Sequence, residues 1–232
     1  MSTFVLVHGG WGGGWEWRGV ADRLRASGHE AYRPTLTGLG ERRHLLSPSV
    51  TLETHVEDVV NLLWFEDLHD VVLCGHSYGG MVVTCVADRV PERLAHVVYL
   101  DAFVPHDGES LLDLLPRPFA ELIRGGSGDG VPMPLSRDRL EAMVGAWYAD
   151  RLVHHPSATF ADAVELTGDR AAIPRSYIRC TASDAPVEAS AERARAAGWR
   201  VRELATHHDP QVADPDGLVA LLLEAARRDA QR

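Results

Sequence analysis

The stretch that decides the fold runs Val71-Val72-Leu73-Cys74-Gly75-His76-Ser77-Tyr78-Gly79. Its four apolar residues read as a buried strand, and the next five spell G-x-S-x-G. That motif makes a tight strand-to-helix turn which lifts a serine hydroxyl off the edge of a sheet. Small residues are needed two before and two after the serine, because the turn brings neighbouring backbone very close. The spelling alone is weak, since a glycine turn with an incidental serine would share it. The context is stronger: an apolar strand directly before, and helical spacing over Tyr78–Asp88 directly after.

Outward from that turn, short β-branched runs alternate with longer amphipathic stretches. Phe4–Val7, Glu30–Leu36 and Val97–Leu100 read as further strands, and Trp17–Ala26 and Thr51–Phe65 as helices. The alternation predicts an α/β fold, a mostly parallel sheet flanked by helices. It breaks after Pro105, where the chain turns rich in Pro and Gly. Only short helical pieces follow, near Leu111–Leu115, Arg139–Tyr148 and Ala158–Leu166, together with a low-complexity patch at Gly125–Gly130. The rhythm resumes with strands Ser176–Thr181 and Arg200–Ala205 and helices Val187–Ala197 and Leu218–Arg227. The expected organisation is one domain, with a core of 1–104 and 175–232 and a helical cap insertion at 105–174.

Composition removes several functions. The net charge of −10 lacks the cationic face that nucleic-acid backbone recognition needs. All 23 basic residues are arginine, so a Schiff-base lysine, a pyridoxal-phosphate lysine and a P-loop lysine are excluded. That usage, with abundant Ala and Gly, hints at a GC-rich bacterial genome. Cys74, Cys85 and Cys180 lie in apolar runs and read as buried small hydrophobes of a reducing compartment. No export signal or membrane span is visible, so a cytoplasmic protein without membrane partners is expected. The reading calls for a small-molecule substrate, no cofactor and no metal, and leaves a homodimer open.

A serine hydroxyl needs a base to take its proton, and the base needs an orienting acid. In this arrangement the order along the chain is serine, acid, histidine. Thr206-His207-His208-Asp209-Pro210 follows the last strand, and His208 is the expected base. Asp184, in the loop after strand Ser176–Thr181, is preferred as the acid, with Asp101 at the end of Val97–Leu100 as its competitor. The oxyanion needs two backbone N–H donors, expected from Tyr78 and from Gly10 in His8-Gly9-Gly10. The run Gly9–Gly14 fails as a dinucleotide loop, because Trp15 and Trp17 stand where the third glycine would fall.

With these residues placed, the chain resembles the α/β-hydrolase branch that holds plant methylesterases, plant hydroxynitrile lyases and related bacterial esterases. The matching stretches are Phe4–Gly10 with Trp15, Ala31–Arg42, Thr54–Val60, Val71–Met81, Val98–Gly108, Tyr177–Asp184 and His208–Pro210. The resemblance implies an α/β-hydrolase fold without cofactor, Ser77 as nucleophile, His208 as base, Asp184 as acid, and Gly10 and Tyr78 as oxyanion donors. Two departures matter. His207 stands where the branch often has glycine, and the lysine used by its hydroxynitrile lyases has no counterpart here. The cap is the least alike.

Trp11, Phe103, Phe119, Met133, Trp147 and Tyr148 are the expected substrate-binding residues, with Phe160 beside them; the same side chains would equally form the cap's own small core. His154-His155 lack partners at metal-ligand spacing and read as a solvated cap face. Arg42-Arg43 read as a substrate-carboxylate clamp or a surface charge pair, and His76 as packing in the turn. The expected function is hydrolysis of a mostly apolar ester or lactone by a Ser-His-Asp triad. The alternatives are a non-hydrolytic lyase or cyclase, or a ligand receptor with a vestigial triad.

Overall fold

Alternation within the strands sets the layers. In the first strand, Phe4 and Leu6 belong to one apolar cluster while Val5 and Val7 belong to the other. The next strand repeats this, with Val72 and Cys74 on one side and Val71 and Leu73 on the opposite side. A strand buried on both faces needs helices on both faces, the arrangement of a parallel sheet. The computed structural model, which describes residues 1–124, 130–167 and 173–227, has six such strands: β1 (Thr3–Val7), β2 (Glu30–Tyr32), β3 (Val71–His76), β4 (Leu94–Leu100), β5 (Arg175–Cys180) and β6 (Arg200–Leu204). They are all parallel, in the order β2-β1-β3-β4-β5-β6.

Helices α1 (Arg18–Ala26), α2 (Leu52–Phe65) and α3 (Gly79–Arg89) follow the first three strands. Thr51 starts α2 with a reciprocal capping box, its hydroxyl accepting from the Thr54 N–H and its own N–H donating to the Thr54 hydroxyl. Between β4 and β5 stand α4 (Leu111–Leu114), α5 (Arg117–Arg124), α6 (Arg137–Val144), α7 (Ala146–Ala149) and α8 (Ala158–Ala161). Then come α9 (Glu188–Ala196), α10 (Pro210–Ala213) and α11 (Pro215–Ala226). Of the glycine-rich patch, 125–129 lie outside the described residues.

The expected second strand is shorter than its pattern suggested. Pairing with β1 ends at Val5 and Tyr32, and Arg33 and Pro34 carry the chain into the loop that meets the site. The expected helix Arg139–Tyr148 is two, split at Gly145, whose φ of +81° breaks the spiral. Strand order reverses between β1 and β3, and crevices open at the carboxyl ends of strands where that happens. Ser77 stands there, on the turn between β3 and α3.

Candidate active site

The turn at Ser77 is shaped by what cannot fit around it. A Cβ on Gly75 would lie 2.6 Å from the Gly79 carbonyl oxygen, and one on Gly79 would lie 2.8 Å from that of His8. Ser77 itself has φ +53°, a region that costs a non-glycine residue about 1–3 kcal/mol and persists only where the surroundings fix it. The fixing bonds come from the next strand: the Ser77 N–H donates to the Leu100 carbonyl at 3.2 Å, and the Phe103 N–H donates to the Ser77 carbonyl at 3.2 Å. The ends of β3 and β4 are thus tied together, and Asp101 is carried along with them.

Asp101 is also left-handed, at φ +42°, and its side chain is fully buried. Its Oδ2 accepts from His208 Nδ1 at 2.8 Å. Its Oδ1 accepts from Arg179 Nη1 at 2.7 Å and from the Cys180 N–H at 3.0 Å. Burial opposes the ionised form, but the bond and charge of His208, with Ser183 and the Cys180 N–H, outweigh it and hold the carboxyl below its ordinary value. An ionised carboxylate only accepts, so His208 carries its proton on Nδ1 and presents Nε2 as a base. Burial disfavours the charged imidazole too, yet the bond to Asp101 and the charges of Asp209, Asp101 and Asp184 lift its pKa above the ordinary value.

This corrects the expected acid. Asp184 is exposed and forms an ion pair with Arg139 of α6, whereas Asp101 holds His208. A carboxylate on the outer side of the β5 loop finds water and a guanidinium; one at the end of β4 finds three elements converging on it. Sequence reasoning placed Asp101 as the competitor but had no sign of Arg179, whose guanidinium turns inward at the end of β5.

A cavity of about 590 Å³ opens over this edge, with Ser77, His208, Gly10 and Tyr78 in its wall. Trp11, Phe103, Phe119, Met133, Tyr148 and Phe160 also line it, as does Asp184 at its exposed side. Trp147 is a second correction. It is half exposed on α7, outside the cavity wall, with the Arg151 guanidinium 3.8 Å from its ring centre. An arginine stacked on an indole in water is a stable surface arrangement and draws the ring outward.

Buried histidines brace the site. His76 Nε2 donates to the His208 carbonyl at 2.8 Å, so the residue beside Ser77 positions the His208 backbone. His55 Nε2 donates to the Thr37 carbonyl, which leaves Nδ1 to accept from the Tyr78 hydroxyl at 2.8 Å. His155, expected on a solvated face, is fully buried. The Thr159 hydroxyl donates to the Pro156 carbonyl, so His155 Nε2 donates to Thr159 and its Nδ1 accepts from the Trp11 N–H at 3.1 Å. With the Trp11 indole N–H on the Val131 carbonyl and the Val153 N–H on the Trp11 carbonyl, this ties the loop after β1 to the stretch between β4 and β5. Burial lowers the pKa of His76 and His55 to about 4 each, keeping both neutral. Arg42 is occupied by the Thr35 carbonyl and Asp58. His207 accepts from the Asp209 N–H, and of these two neighbouring histidines only His208 lines the cavity. No cluster of three or more metal-ligating side chains is found among the described residues.

A serine on a strained strand-to-helix turn, above a parallel sheet with a His–Asp pair at neighbouring loop ends, defines a class. The chain belongs to the alpha/beta hydrolase family, whose model matches residues 4–221. Among curated proteins it is 40% identical to the carbendazim hydrolyzing esterase of Nocardioides sp. (strain SG-4G), covering 96% of this chain and 98% of that one. It is 25% identical to methylesterase 7 of Arabidopsis thaliana, over 99% and 98% of the two chains. Among solved structures, an extracellular alpha/beta-hydrolase from a Paenibacillus species superposes with a TM-score of 0.86 at 26% identity, covering 98% of this chain and 100% of that one. That protein is described as sharing structural and functional homology with tobacco salicylic acid binding protein 2.

Proposed function

We propose that this chain is a serine hydrolase that cleaves a small to medium, mostly apolar carboxylic ester or lactone through an acyl-enzyme. The observation that carries the reading is the 2.8 Å bond from His208 Nδ1 to buried Asp101, with Ser77 on the strained turn in the wall of the same cavity. His208 Nε2 takes the Ser77 proton as Oγ attacks the carbonyl carbon. The backbone N–H groups of Gly10 and Tyr78 hold the oxyanion. His208 then protonates the leaving oxygen, and water repeats the sequence on the acyl-serine, releasing the acid. The esterase names of its relatives support this chemistry, and the largely apolar lining supports the substrate class. No membrane-crossing helix is present among the described residues, and the three unpaired, buried cysteines fit a cytoplasmic setting.

The test is hydrolysis of short-chain p-nitrophenyl esters by the wild type and Ser77→Ala, with intact mass after a serine-directed phosphonate. The expected result is turnover abolished in Ser77→Ala and a single adduct on the wild type. Neither turnover nor adduct in the wild type would reject the reading in favour of a lyase or receptor.

A further inference from the structure

The Gly10 N–H, one of the two oxyanion donors of the proposed mechanism, belongs to a peptide plane flanked by glycines. With no Cβ on Gly9 or Gly10, that plane turns more freely than one between substituted residues, so its direction needs an outside restraint. The place is close to the nucleophile: a Cβ on Gly9 would lie 3.1 Å from Ser77 Cβ, and Gly10 stands in the cavity wall. Among the described residues no backbone carbonyl accepts from the N–H of Gly10 or of Tyr78.

His8, directly after β1, is fully buried and supplies the restraint. The Leu36 N–H donates to its Nε2 at 3.1 Å, so Nε2 is the acceptor and the ring proton sits on Nδ1. Nδ1 donates in turn to the Gly9 carbonyl at 2.8 Å. Burial lowers the His8 pKa to about 3, which keeps the ring neutral. The Gly9–Gly10 peptide is planar and trans, so the Gly9 carbonyl and the Gly10 N–H point in opposite directions from one rigid unit. Holding that carbonyl fixes the direction of the N–H, and the bond also polarises the amide towards stronger donation.

The loop after β2 serves the second donor residue in the same way. The Thr37 carbonyl, next to Leu36, accepts from His55 Nε2, and His55 Nδ1 accepts from the Tyr78 hydroxyl. Asp58 of α2 anchors the loop, accepting from the Thr37 N–H at 2.6 Å and from its hydroxyl at 2.9 Å. Two consecutive loop residues thus set the tautomers of two buried histidines, one for each donor residue. An apolar side chain at position 8 would fill the core without burying two ring nitrogens.

We propose that His8 is a positioning residue for the oxyanion site, holding the Gly9–Gly10 peptide so that the Gly10 N–H meets the developing charge. This deepens the hydrolase reading and rests on it.

The experiment uses p-nitrophenyl butyrate and its thiono counterpart, which differ only in C=O against C=S. Sulfur accepts hydrogen bonds more weakly than oxygen, so the ratio of kcat/KM, oxo over thiono, reports on the oxyanion donors. Each rate is normalised to alkaline hydrolysis and the ratio is read within each protein, so losses of folded fraction or of Ser77–His208 function cancel. His8→Asn keeps an amide N–H near the Nδ1 position. His8→Gln keeps an amide only at the Nε2 end, away from the Gly9 carbonyl. Thermal unfolding checks each variant, and His8→Leu replaces His8→Gln if that is unfolded, since either removes the donor. His8→Gln is expected to lower oxo-ester kcat/KM by about 10–100-fold, less than outright deletion of a donor, and to lower the ratio by about fivefold or more. His8→Asn is expected to keep the ratio within about twofold of the wild type. Ester turnover with one ratio in all three proteins, or with an equal fall in both variants, overturns the role of His8 and leaves the hydrolase reading standing. A wild type that turns over neither ester and takes no phosphonate adduct rejects both.

Discussion

Two aspartates stand at the carboxyl ends of neighbouring strands and have opposite surroundings. Asp101, after β4, is fully buried and receives His208, Arg179 and the Cys180 N–H. Asp184, after β5, is exposed and receives Arg139 of α6. The difference teaches that loop position alone does not assign an orienting acid. The donors that converge on it do. A buried carboxylate stripped of its partners costs about 3–5 kcal/mol, whereas an exposed ion pair is worth about 0–1 kcal/mol.

The sharpest way to break the comparison is to neutralise each acid in turn. Asp101→Asn is expected to lower kcat by about 10³–10⁴-fold, because an amide in place of the carboxylate favours the wrong imidazole tautomer. A smaller effect is expected for Arg179→Gln, which removes a cation from Asp101 Oδ1 while leaving the Cys180 N–H in place: about three- to tenfold in kcat/KM. The acid limb of the pH profile sharpens the assignment further. In the proposed mechanism neutral His208 is the active form, so activity is expected to fall as pH drops through its raised pKa, giving a limb above the ordinary imidazole value. Removing the Asp101 charge should move that limb to lower pH, and removing Arg179 should move it higher; kcat/KM across pH 4 to 9 reads both signs. The smallest effect belongs to Asp184→Asn, expected within about threefold of the wild type, since an exposed charge at the rim acts weakly through water.

Legibility followed how local each determinant is. Ser77, Tyr78 and the turn were readable because the glycine spacing, the preceding strand and the following helix all lie within one short run. The central strands were readable because burial on both faces leaves continuous apolar runs. The β2 boundary was less so, since β-propensity in Arg33–Leu36 does not say where a neighbouring strand stops offering partners. Asp101 was legible only as a competitor, because its distinction depends on Arg179 and the Cys180 N–H reaching it from the neighbouring strand.

The most direct measurement is the second-order rate at which a fluorophosphonate labels Ser77 in the wild type, Asp101→Asn and Asp184→Asn, with peptide mapping of the adduct. The account predicts labelling of Ser77 in the wild type, slowing by about 10³-fold or more in Asp101→Asn, and little change in Asp184→Asn. Fast labelling of Asp101→Asn together with slow labelling of Asp184→Asn would contradict it and return the orienting role to the β5 loop.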